Sequence, residues 1–498
     1  MLFLLIVVLM ISAYTQQPSG ADVRVPAWWQ VVPWAAAAVV VVWGLSVLLA
    51  RRAVRQVQRG LVPFQPRFLA HHQLLWGLRG LMLGLYLWLV FGAGWAEFVY
   101  RGLRLADWSV IGNWVVILPF VAMAVAHWSA LYRVDLLLRH RQAATAALDP
   151  AGAQPGGTSL SGVPLEPFRP WRRRRYLGFH VRHQVLIVLV PVSLWWVGLD
   201  GLNALLPKLH LDHAWVEYPL ALALVLGVYL ISPVFMRLIW NTRRLPAGHP
   251  LDGALRARLD ALCRRTGLRY RDILIWRTGC DIVNAAVAGL VGPLRYVFLS
   301  DGLLRHLTPS EIEAVFAHEI GHVRQRHIPL YLTFALGSMV FVLAIGKAAA
   351  ALATALGVPE DLSQAVPEGW PFLVAALGLY WGVLFGYLSR RFERQADVFA
   401  IRAVGRSFPA ADGGPAPLDP LAMGEFARAL EGVAALNGMT RNVPAWSHFS
   451  IDRRIRFLED ALVDPRVDWR FQRSVRRLKW GWLAATLLGL AFLFFVSG

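Results

Sequence analysis

TPSEIEAVFAHEIGHVRQRH, residues 308–327, is the stretch on which the interpretation of the whole chain depends. Thr308 and Glu311 stand three residues apart, and Pro309 lies at what would be the first helical position. A capping box with a proline in the first turn is typical of a helix N-terminus. We therefore predict one helix that starts here and runs on through Arg326.

Two histidines four residues apart share one face of this predicted helix. His318 and His322 are therefore placed to bind one zinc ion, and Glu319 can act as general base on the water that such an ion activates. The alternative is a surface helix with two unrelated histidines. The capping box and the apolar faces around the motif make that alternative the weaker one. His327 is five residues past His322, so it should point well off the ligand face.

A pair of acidic residues follows an apolar block, residues 370–388. A catalytic zinc ion needs a third protein ligand and one open position. Glu393 and Asp397 are four residues apart and so share a helix face. Glu393 would be the third ligand, and Asp397 would accept a hydrogen bond from a ligand histidine and fix its tautomer. Taken alone, this spacing would describe a solvated acidic face equally well.

Long apolar blocks dominate the composition. Of the 498 residues 57% are hydrophobic and only 16% are charged, whereas soluble domains carry about 25% charged residues. An apolar run of about 20 residues is enough to cross a bilayer. The candidate spans are residues 34–50, 74–98, 109–131, 185–199, 218–236, 330–356, 370–388 and 480–496. A ninth block, residues 2–13, is short; a signal sequence, an anchor and a half-buried helix are all consistent with it, and we favour an uncleaved anchor.

Charged residues between the blocks predict the orientation of the chain. The net charge is +19, and the arginines lie mostly in the segments between the apolar blocks. The loops after the blocks 34–50 and 109–131 are rich in arginine, as the positive-inside rule predicts for cytoplasmic loops. The loop 358–369 contains acidic residues and neither Lys nor Arg, so it should lie outside. Counting spans between these loops places residues 241–327 and 389–479 in the cytoplasm. This distribution makes a lipid bilayer the expected partner and argues against nucleic acid, the other common partner of a basic chain.

The chain is thus predicted to be a mainly α, multi-pass helical membrane protein in three parts. Residues 1–240 would form an N-terminal multi-span region. Residues 241–479 would form the domain that carries the histidines, interrupted by the spans 330–356 and 370–388. Residues 480–498 would form a C-terminal span.

The polar segment before the first ligand histidine has an α+β pattern. Residues 252–265 have helical spacing. Residues 272–276, 282–288 and 296–299 have the composition and length of short strands. We therefore expect a small sheet beside the predicted ligand helix.

Four stretches resemble the integral-membrane zinc metallopeptidases that include the CAAX prenyl protease type I and the HtpX-like proteases. They are Asn284-Ala285 with Gly289; residues 299–304 (LSDGLL) leading into 313–322 (EAVFAHEIGH); residues 389–397 (SRRFERQAD); and Ser447-His448 through Arg454-Ile455. Together they lie within residues 251–462, so the resemblance leaves the N-terminal half uncovered.

The resemblance implies a small α+β metalloprotease domain of the gluzincin type. It implies Glu393 as a zinc ligand and Asp397 as its supporting carboxylate. It also implies that His448 and Arg454 are active-site groups that face the substrate. This chain departs from the family at Phe449, where the family usually has proline.

The predicted function is that of a zinc-dependent endopeptidase with one zinc ion per chain. Glu319 would be the catalytic base, and Arg454 and His448 are the candidates to stabilise the oxyanion. An extended substrate could add as a strand beside Asn284 and Ala285. The substrates would be membrane-associated or misfolded proteins, cleaved at the cytoplasmic face of the membrane. The Arg-, Ala-, Gly- and Trp-rich composition suggests a bacterial inner membrane.

Two alternative functions stay open from the sequence. One is a processing protease for a specific peptide, such as a lipidated one, because specificity would depend on the geometry of the substrate chamber. The other is a non-catalytic membrane scaffold or transporter with a retained metal site. The intact Glu319 argues against the second alternative, because a structural zinc ion needs no general base.

Overall fold

The computed structural model describes most of the chain. The chain divides into two compact units. The described residues are 25–58, 64–106, 108–148, 160–161, 163, 171–211, 213–246, 252–279, 282–357, 380–406, 416–437, 439, 441–442 and 449–497. The first unit comprises residues 1–157, 166–243 and 276–279, and the second comprises 158–165, 244–275 and 280–498. The predicted domain boundaries at residues 240 and 479 stay predictions.

Helices, most of them apolar, make up the first unit. The longer ones are α1 (Trp28–Gln58), α2 (Phe64–Leu87), α3 (Ser109–Leu148), the arginine-rich α4 (Arg173–His180), α5 (Ile187–Leu205) and α6 (Ala214–Ile239). The stretches long and apolar enough to cross a membrane are Trp28–Arg55, Leu75–Gly92, Ser109–Leu137, Arg173–Leu209 and Trp215–Ile239. They correspond in order to the first five spans predicted from the sequence.

Helices α1 and α3 pack through a stripe of small side chains. The buried positions on α1 follow the helical period and are Val31, Ala35, Ala38, Val42, Ser46 and Ala50. Small residues at such positions let two helix backbones approach closely, which is how helices commonly associate in membranes. Within this stripe, Ser46 Oγ lies 2.9 Å from Nδ1 of the buried His127 on α3.

The second unit combines a small sheet with helices. After β1 (Thr242–Arg244), within which the chain passes into this unit, the elements are α7 (Asp252–Thr266), β2 (Asp272–Trp276), β3 (Ala285–Ala288), β4 (Tyr296–Ser300), α8 (Asp301–His306), α9 (Pro309–Arg324), α10 (His327–Ala355), α11 (Gly386–Gly405), α12 (Pro420–Leu436), α13 (Ile451–Val463) and α14 (Pro465–Ser497). The strands form one sheet in the order β1-β2-β4-β3. The predicted α+β pattern is therefore confirmed.

Strand β3 lies at the edge of this sheet. It pairs antiparallel with β4, with Ala285 opposite Leu299 and Ala288 opposite Tyr296. It is shorter than the predicted strand 282–288, and β4 ends one residue later than predicted. Because no other strand pairs with β3 in the described part of the chain, its outer side is available to an added strand.

The ligand helix α9 begins as predicted but ends earlier. Thr308 and Glu311 form the reciprocal hydrogen bonds of the capping box. The prediction of a continuous helix through Arg326 is wrong, because α9 ends at Arg324. The chain then turns at Arg326, whose φ of 58° is left-handed, and α10 begins at His327. The left-handed residue interrupts the helical hydrogen bonds and redirects the chain.

Two further apolar stretches occur in the second unit, His327–Ala348 and Pro465–Phe495, so the described residues contain seven candidate membrane spans. The predicted span 370–388 lies largely outside the described residues, which resume at Tyr380 in a π-helical turn (Trp381–Phe385) that leads into α11. The predicted anchor 2–13 also lies outside them. The protein is a mainly α, multi-span helical protein with a small α+β domain, as predicted.

Candidate metal centre and active site

A close approach of two helices brings the candidate ligands together. Gly321 of α9 packs against Ala396 of α11 so tightly that a Cβ at Gly321 would lie 2.9 Å from the Ala396 Cα. Real Cβ atoms do not come this near to a backbone atom, so only glycine fits between the helices. The contact lies beside His322 on one helix and within the stretch that carries Glu393 on the other.

The candidate ligands converge on one point. His318 Nε2 and His322 Nε2 are 3.2 Å apart. Glu393 places one carboxylate oxygen 3.5 Å from His318 Nε2 and the other 3.6 Å from His322 Nε2. One donor atom from each of the three residues lies within 4.8 Å of the others. Two imidazole nitrogens and one carboxylate oxygen form a donor set that suits a catalytic zinc ion, so the residues present fit the implied metal.

Asp397 and Arg454 hold His318 from the far side. Nδ1 of His318 lies 2.9 Å from an oxygen of the fully buried Asp397. Arg454 donates from Nε and Nη2 to the two oxygens of Asp397, at 2.9 and 2.5 Å. The same Nη2 lies 3.7 Å from Glu393. Arg454 therefore orients the carboxylates on both sides of His318, which leaves Nε2 of that ring for a metal ion.

The charges in this buried cluster shift the pKa values of the two histidines in opposite directions. Burial lowers the pKa of His318, but the neighbouring carboxylates of Asp397 and Glu393 outweigh burial and raise it to about 10. Burial, followed by the nearby His318, lowers the pKa of His322 to about 4. Burial raises the pKa of Asp397, but Arg454 and His318 reverse this and hold it below its usual value. Binding of a divalent cation to the pair would therefore displace a proton from His318.

His327 contacts a candidate ligand, contrary to the prediction that it points away. Its Nδ1 lies 3.0 Å from Nδ1 of His322, and its Nε2 lies 3.1 Å from Oε1 of Gln395. The break at Arg326 is the reason, because it turns His327 back onto the ring of His322. Pro329 was the signal in the sequence, since proline in the third position of α10 marks a first helical turn.

The hydrogen bonds continue beyond Gln395 into the protein. Gln395 Nε2 donates to Gln472 Oε1 at 2.5 Å, and Gln472 Nε2 donates to Asp468 at 2.9 Å. Asp468 in turn pairs with Arg402 at 2.6 Å. The chain of contacts from His322 thus ends in a buried ion pair. The chain of contacts, counted from His322 through His327, joins four helices, and no spacing in the sequence connects one helix with the next.

A cavity of about 670 Å³ opens beside the cluster. Its lining includes His318, Glu319, His322, Glu393 and Arg454, and on the opposite side Asn284, Ala285 and Val287. The residues predicted to meet an extended substrate therefore line the same cavity as the candidate ligands and base. His448 lies outside the described residues.

Phe449 and Asn437 also line this cavity and were not predicted as site residues. The guanidinium of Arg394 lies 4.1 Å from the centre of the Phe449 ring, so a cation–π contact holds the aromatic ring where the family usually has proline. Asn437 exchanges two hydrogen bonds with the backbone of Val283, at 3.3 and 2.8 Å. Asn437 thus ties the end of α12 to the chain that enters β3.

Comparison with known proteins places this site in a family. A model of peptidase family M48 matches residues 251–459. The HtpX protease homologue of Neisseria meningitidis is 30% identical over 210 residues, which cover 40% of this chain and 70% of that protein. The chain belongs to peptidase family M48. This confirms the resemblance stated from the motifs, and an M48 peptidase is a metalloprotease.

Two further matches are a second HtpX homologue and a solved structure. The HtpX protease homologue of Aeropyrum pernix is 27% identical over 301 residues, which cover 57% of this chain and 88% of that protein. The crystal structure of S. mikatae Ste24p matches with a TM-score of 0.47 and 16% identity, over 87% of this chain and 99% of that chain.

Proposed function

We propose that this M48 peptidase is a zinc-dependent endopeptidase that hydrolyses membrane-associated or misfolded proteins at the cytoplasmic face of a bacterial inner membrane. The observation that carries the proposal is the convergence of His318, His322 and Glu393 in one cavity with Glu319 and the edge strand β3. One zinc ion per chain would be held by the two imidazoles and the Glu393 carboxylate. When bound, it would polarise the scissile carbonyl and acidify water.

The residues of the chain would carry the proton transfers. Glu319 would take a proton from the attacking water and deliver it to the leaving amine, as a general base and then a general acid. Arg454 already donates Nε and Nη2 to Asp397, so we assign Nη1 as its donor to the developing oxyanion, with His448 as a second donor. One such donor is typically worth about 3–4 kcal/mol of transition-state stabilisation.

The edge strand would hold the substrate. An extended peptide that pairs with the outer side of β3 would pass Asn284 and Ala285 at the metal centre. Backbone hydrogen bonds would supply affinity with little side-chain selectivity. This arrangement suits unfolded or locally extended segments of many proteins.

The start of an apolar helix beside the cluster supports membrane-associated substrates. His327 contacts the ring of His322 and is also the first residue of the candidate span His327–Ala348. At the end of this candidate span, the cluster would meet peptide segments close to a bilayer surface. The cytoplasmic side follows from the positive-inside pattern of the loops.

The test of the mechanism is the substitution Glu319→Gln in the purified full-length protein. We expect zinc content equal to wild type and casein cleavage slower by roughly 10²–10⁴-fold, the usual contribution of a general base. Glu459→Gln is the matched control, because Glu459 is exposed on α13 and outside the cavity. A Glu319→Gln protein that binds zinc and cleaves casein as fast as wild type would refute the assigned base.

The test of the third ligand is Glu393→Ala with metal analysis. Loss of the carboxylate should remove bound zinc from the purified protein, because two imidazoles alone leave the ion with too few protein ligands. Zinc content equal to that of wild type would reject Glu393 as a ligand. The role of Glu319 is tested separately by Glu319→Gln.

A further inference from the structure

A second cavity, of about 400 Å³, lies next to the one that holds the candidate catalytic residues. Three arginines, Arg295, Arg324 and Arg326, belong to its lining, together with Gly289 and Ile328. It is thus a basic cavity, which nothing in the proposed peptide hydrolysis uses.

The two cavities are consecutive parts of one groove between β3 and α9. Ala285 and Val287 line the first cavity and Gly289 lines the second. Ala285 and Val287 are two residues apart in the strand and so face the same side of it. Gly289 directly follows the last strand residue, Ala288. On α9, His322 lines the first cavity and the adjoining Val323 the second. Ile328 lines both. A peptide extended along β3 from the metal centre would therefore reach the arginines.

The arginines carry uncompensated charge. Among the described residues, no carboxylate lies within ion-pair distance of Arg295, Arg324 or Arg326. Arg295 donates to the carbonyls of Gly289 at 3.0 Å and Arg269 at 2.8 Å, which fixes its guanidinium at the end of β3. Burial lowers the pKa of Arg295, and no neighbouring carboxylate offsets the effect. Arg295 also donates to the carbonyl of Leu290, whereas Arg324 and Arg326 are exposed. Guanidinium groups without a carboxylate partner are well suited to bind one.

We propose that this arginine cavity is a subsite that binds an acidic residue of the extended substrate, a few positions from the scissile bond. The inference rests on the proposed peptidase function. A strand advances about 3.3 Å per residue, so the three steps from Ala285 to Ala288, the last residue of β3, correspond to about 10 Å, and the second cavity begins at the next residue. The preferred carboxylate therefore stands about four residues from the bond that is cut, and belongs to a Glu or Asp side chain or to the C-terminus of the peptide.

The experiment uses matched peptides and the full-length protein in detergent. One neutral peptide with a single cleavage site receives Glu or Gln in turn at each position up to six residues on either side of the site. Each peptide is made with a free and with an amidated C-terminus. For wild type we expect kcat/KM to be about fivefold higher for Glu than for Gln near the fourth position, the factor that corresponds to one partly exposed ion pair. The preference should fall as salt is raised.

The variant Arg324→Gln with Arg326→Asn should bring the ratio of Glu to Gln close to one. Asn is chosen because it tolerates the left-handed backbone of Arg326, where φ is 58°. Arg466→Gln is the control, because Arg466 is exposed at the start of α14 and lines neither cavity. Its ratio should equal that of wild type. Thermal unfolding of each protein shows whether the variants are folded.

Equal cleavage of the Glu and Gln peptides by wild type at every position would overturn the proposal. It would also be overturned if the arginine variants lost activity only in vesicles that contain anionic phospholipid and without regard to the peptide, because the arginines would then bind lipid headgroups. Failure of the peptidase function itself would look different, since wild type would then cleave neither peptide, or Glu319→Gln would cleave both as fast as wild type.

Discussion

Replacing His327 by phenylalanine should weaken zinc binding without removing any ligand. The two Nδ1 atoms of His322 and His327 are 3.0 Å apart, and one of them must carry the proton, because two lone pairs repel each other. Since Nε2 of His322 faces the other candidate ligands, its Nδ1 is the donor and His327 is the acceptor. Phenylalanine removes this acceptor and leaves the tautomer and orientation of His322 unsupported.

The size of the effect follows from the contacts of His327. Loss of a partner to a metal-bound histidine typically costs about 10–100-fold in metal affinity. Gln395 loses the hydrogen bond that its Oε1 accepts from His327, and a buried group left without its partner costs about 1–3 kcal/mol of stability. The imidazole stacks on Phe392 with ring centres 4.1 Å apart, a contact that phenylalanine preserves. We therefore expect a folded protein with zinc affinity about tenfold lower.

The assay is competition for zinc between the apoprotein and a chromophoric chelator, with thermal unfolding measured on the same samples. Tyr331→Phe is the matched control. Tyr331 lies one turn after His327 on α10 and also packs against Phe392. The substitution removes its hydrogen bond of 3.2 Å to Ser389 on α11. The control should lose stability but keep zinc affinity. A His327→Phe protein that competes for zinc as strongly as wild type would refute the assigned role of His327.

Three further predictions follow from burial and close packing. Gly321→Ala should destabilise the protein by about 1–3 kcal/mol and lower its zinc content. Gly432→Ala is the control, because nothing lies within 4 Å of the added methyl group, and it should leave zinc content unchanged and stability unchanged or slightly higher. Metal analysis and chemical unfolding measure the two effects. Arg454→Met should cost about 3–5 kcal/mol at pH 7, because it leaves Asp397 buried without its cation. In wild type the pKa of Asp397 is lowered, so the Asp397–Arg454 pair stabilises the fold fully above about pH 4. This stabilisation should be lost as pH falls through the lowered pKa. A free energy of unfolding that does not depend on pH in acid would contradict this prediction. Burial, followed by nearby Asp260, raises the pKa of Cys263 to about 12. In a Cys280→Ser variant, native protein should therefore resist iodoacetamide at pH 8, whereas unfolded protein should react. Mass spectrometry measures the alkylation.

Much of the metal centre could be predicted from local spacing. His318 and His322 share a helix face because they are four residues apart, and the capping box at Thr308 marks the start of that helix; both are consequences of 3.6 residues per turn. The spacing of Glu393 and Asp397 identified a second candidate face in the same way. Their roles in catalysis stay predictions for the experiments above.

The same local reasoning gave the wrong direction for His327. In a continuous helix, His327 would lie on a different face from His322, because the two are five residues apart. This argument holds only while the helix continues. Arg326 adopts the left-handed conformation and ends it. A single residue with positive φ redirects everything that follows, and most residue types carry no clear signal for it.

The sequence by itself determined the apolar spans, the short strands, the ligand helix and the family, because each depends on the periodicity or identity of neighbouring residues. Only the tertiary structure decided which faces meet. The missing side chain of Gly321 lets α9 and α11 approach until Glu393 lies beside both histidines, and the left-handed turn brings His327 onto His322. The run of β3 alongside α9 joins the catalytic cavity to the arginines. Apart from the local turn at Arg326, these are packing relations between segments far apart in the chain. Packing depends on the shapes of both partners, which neither segment encodes alone.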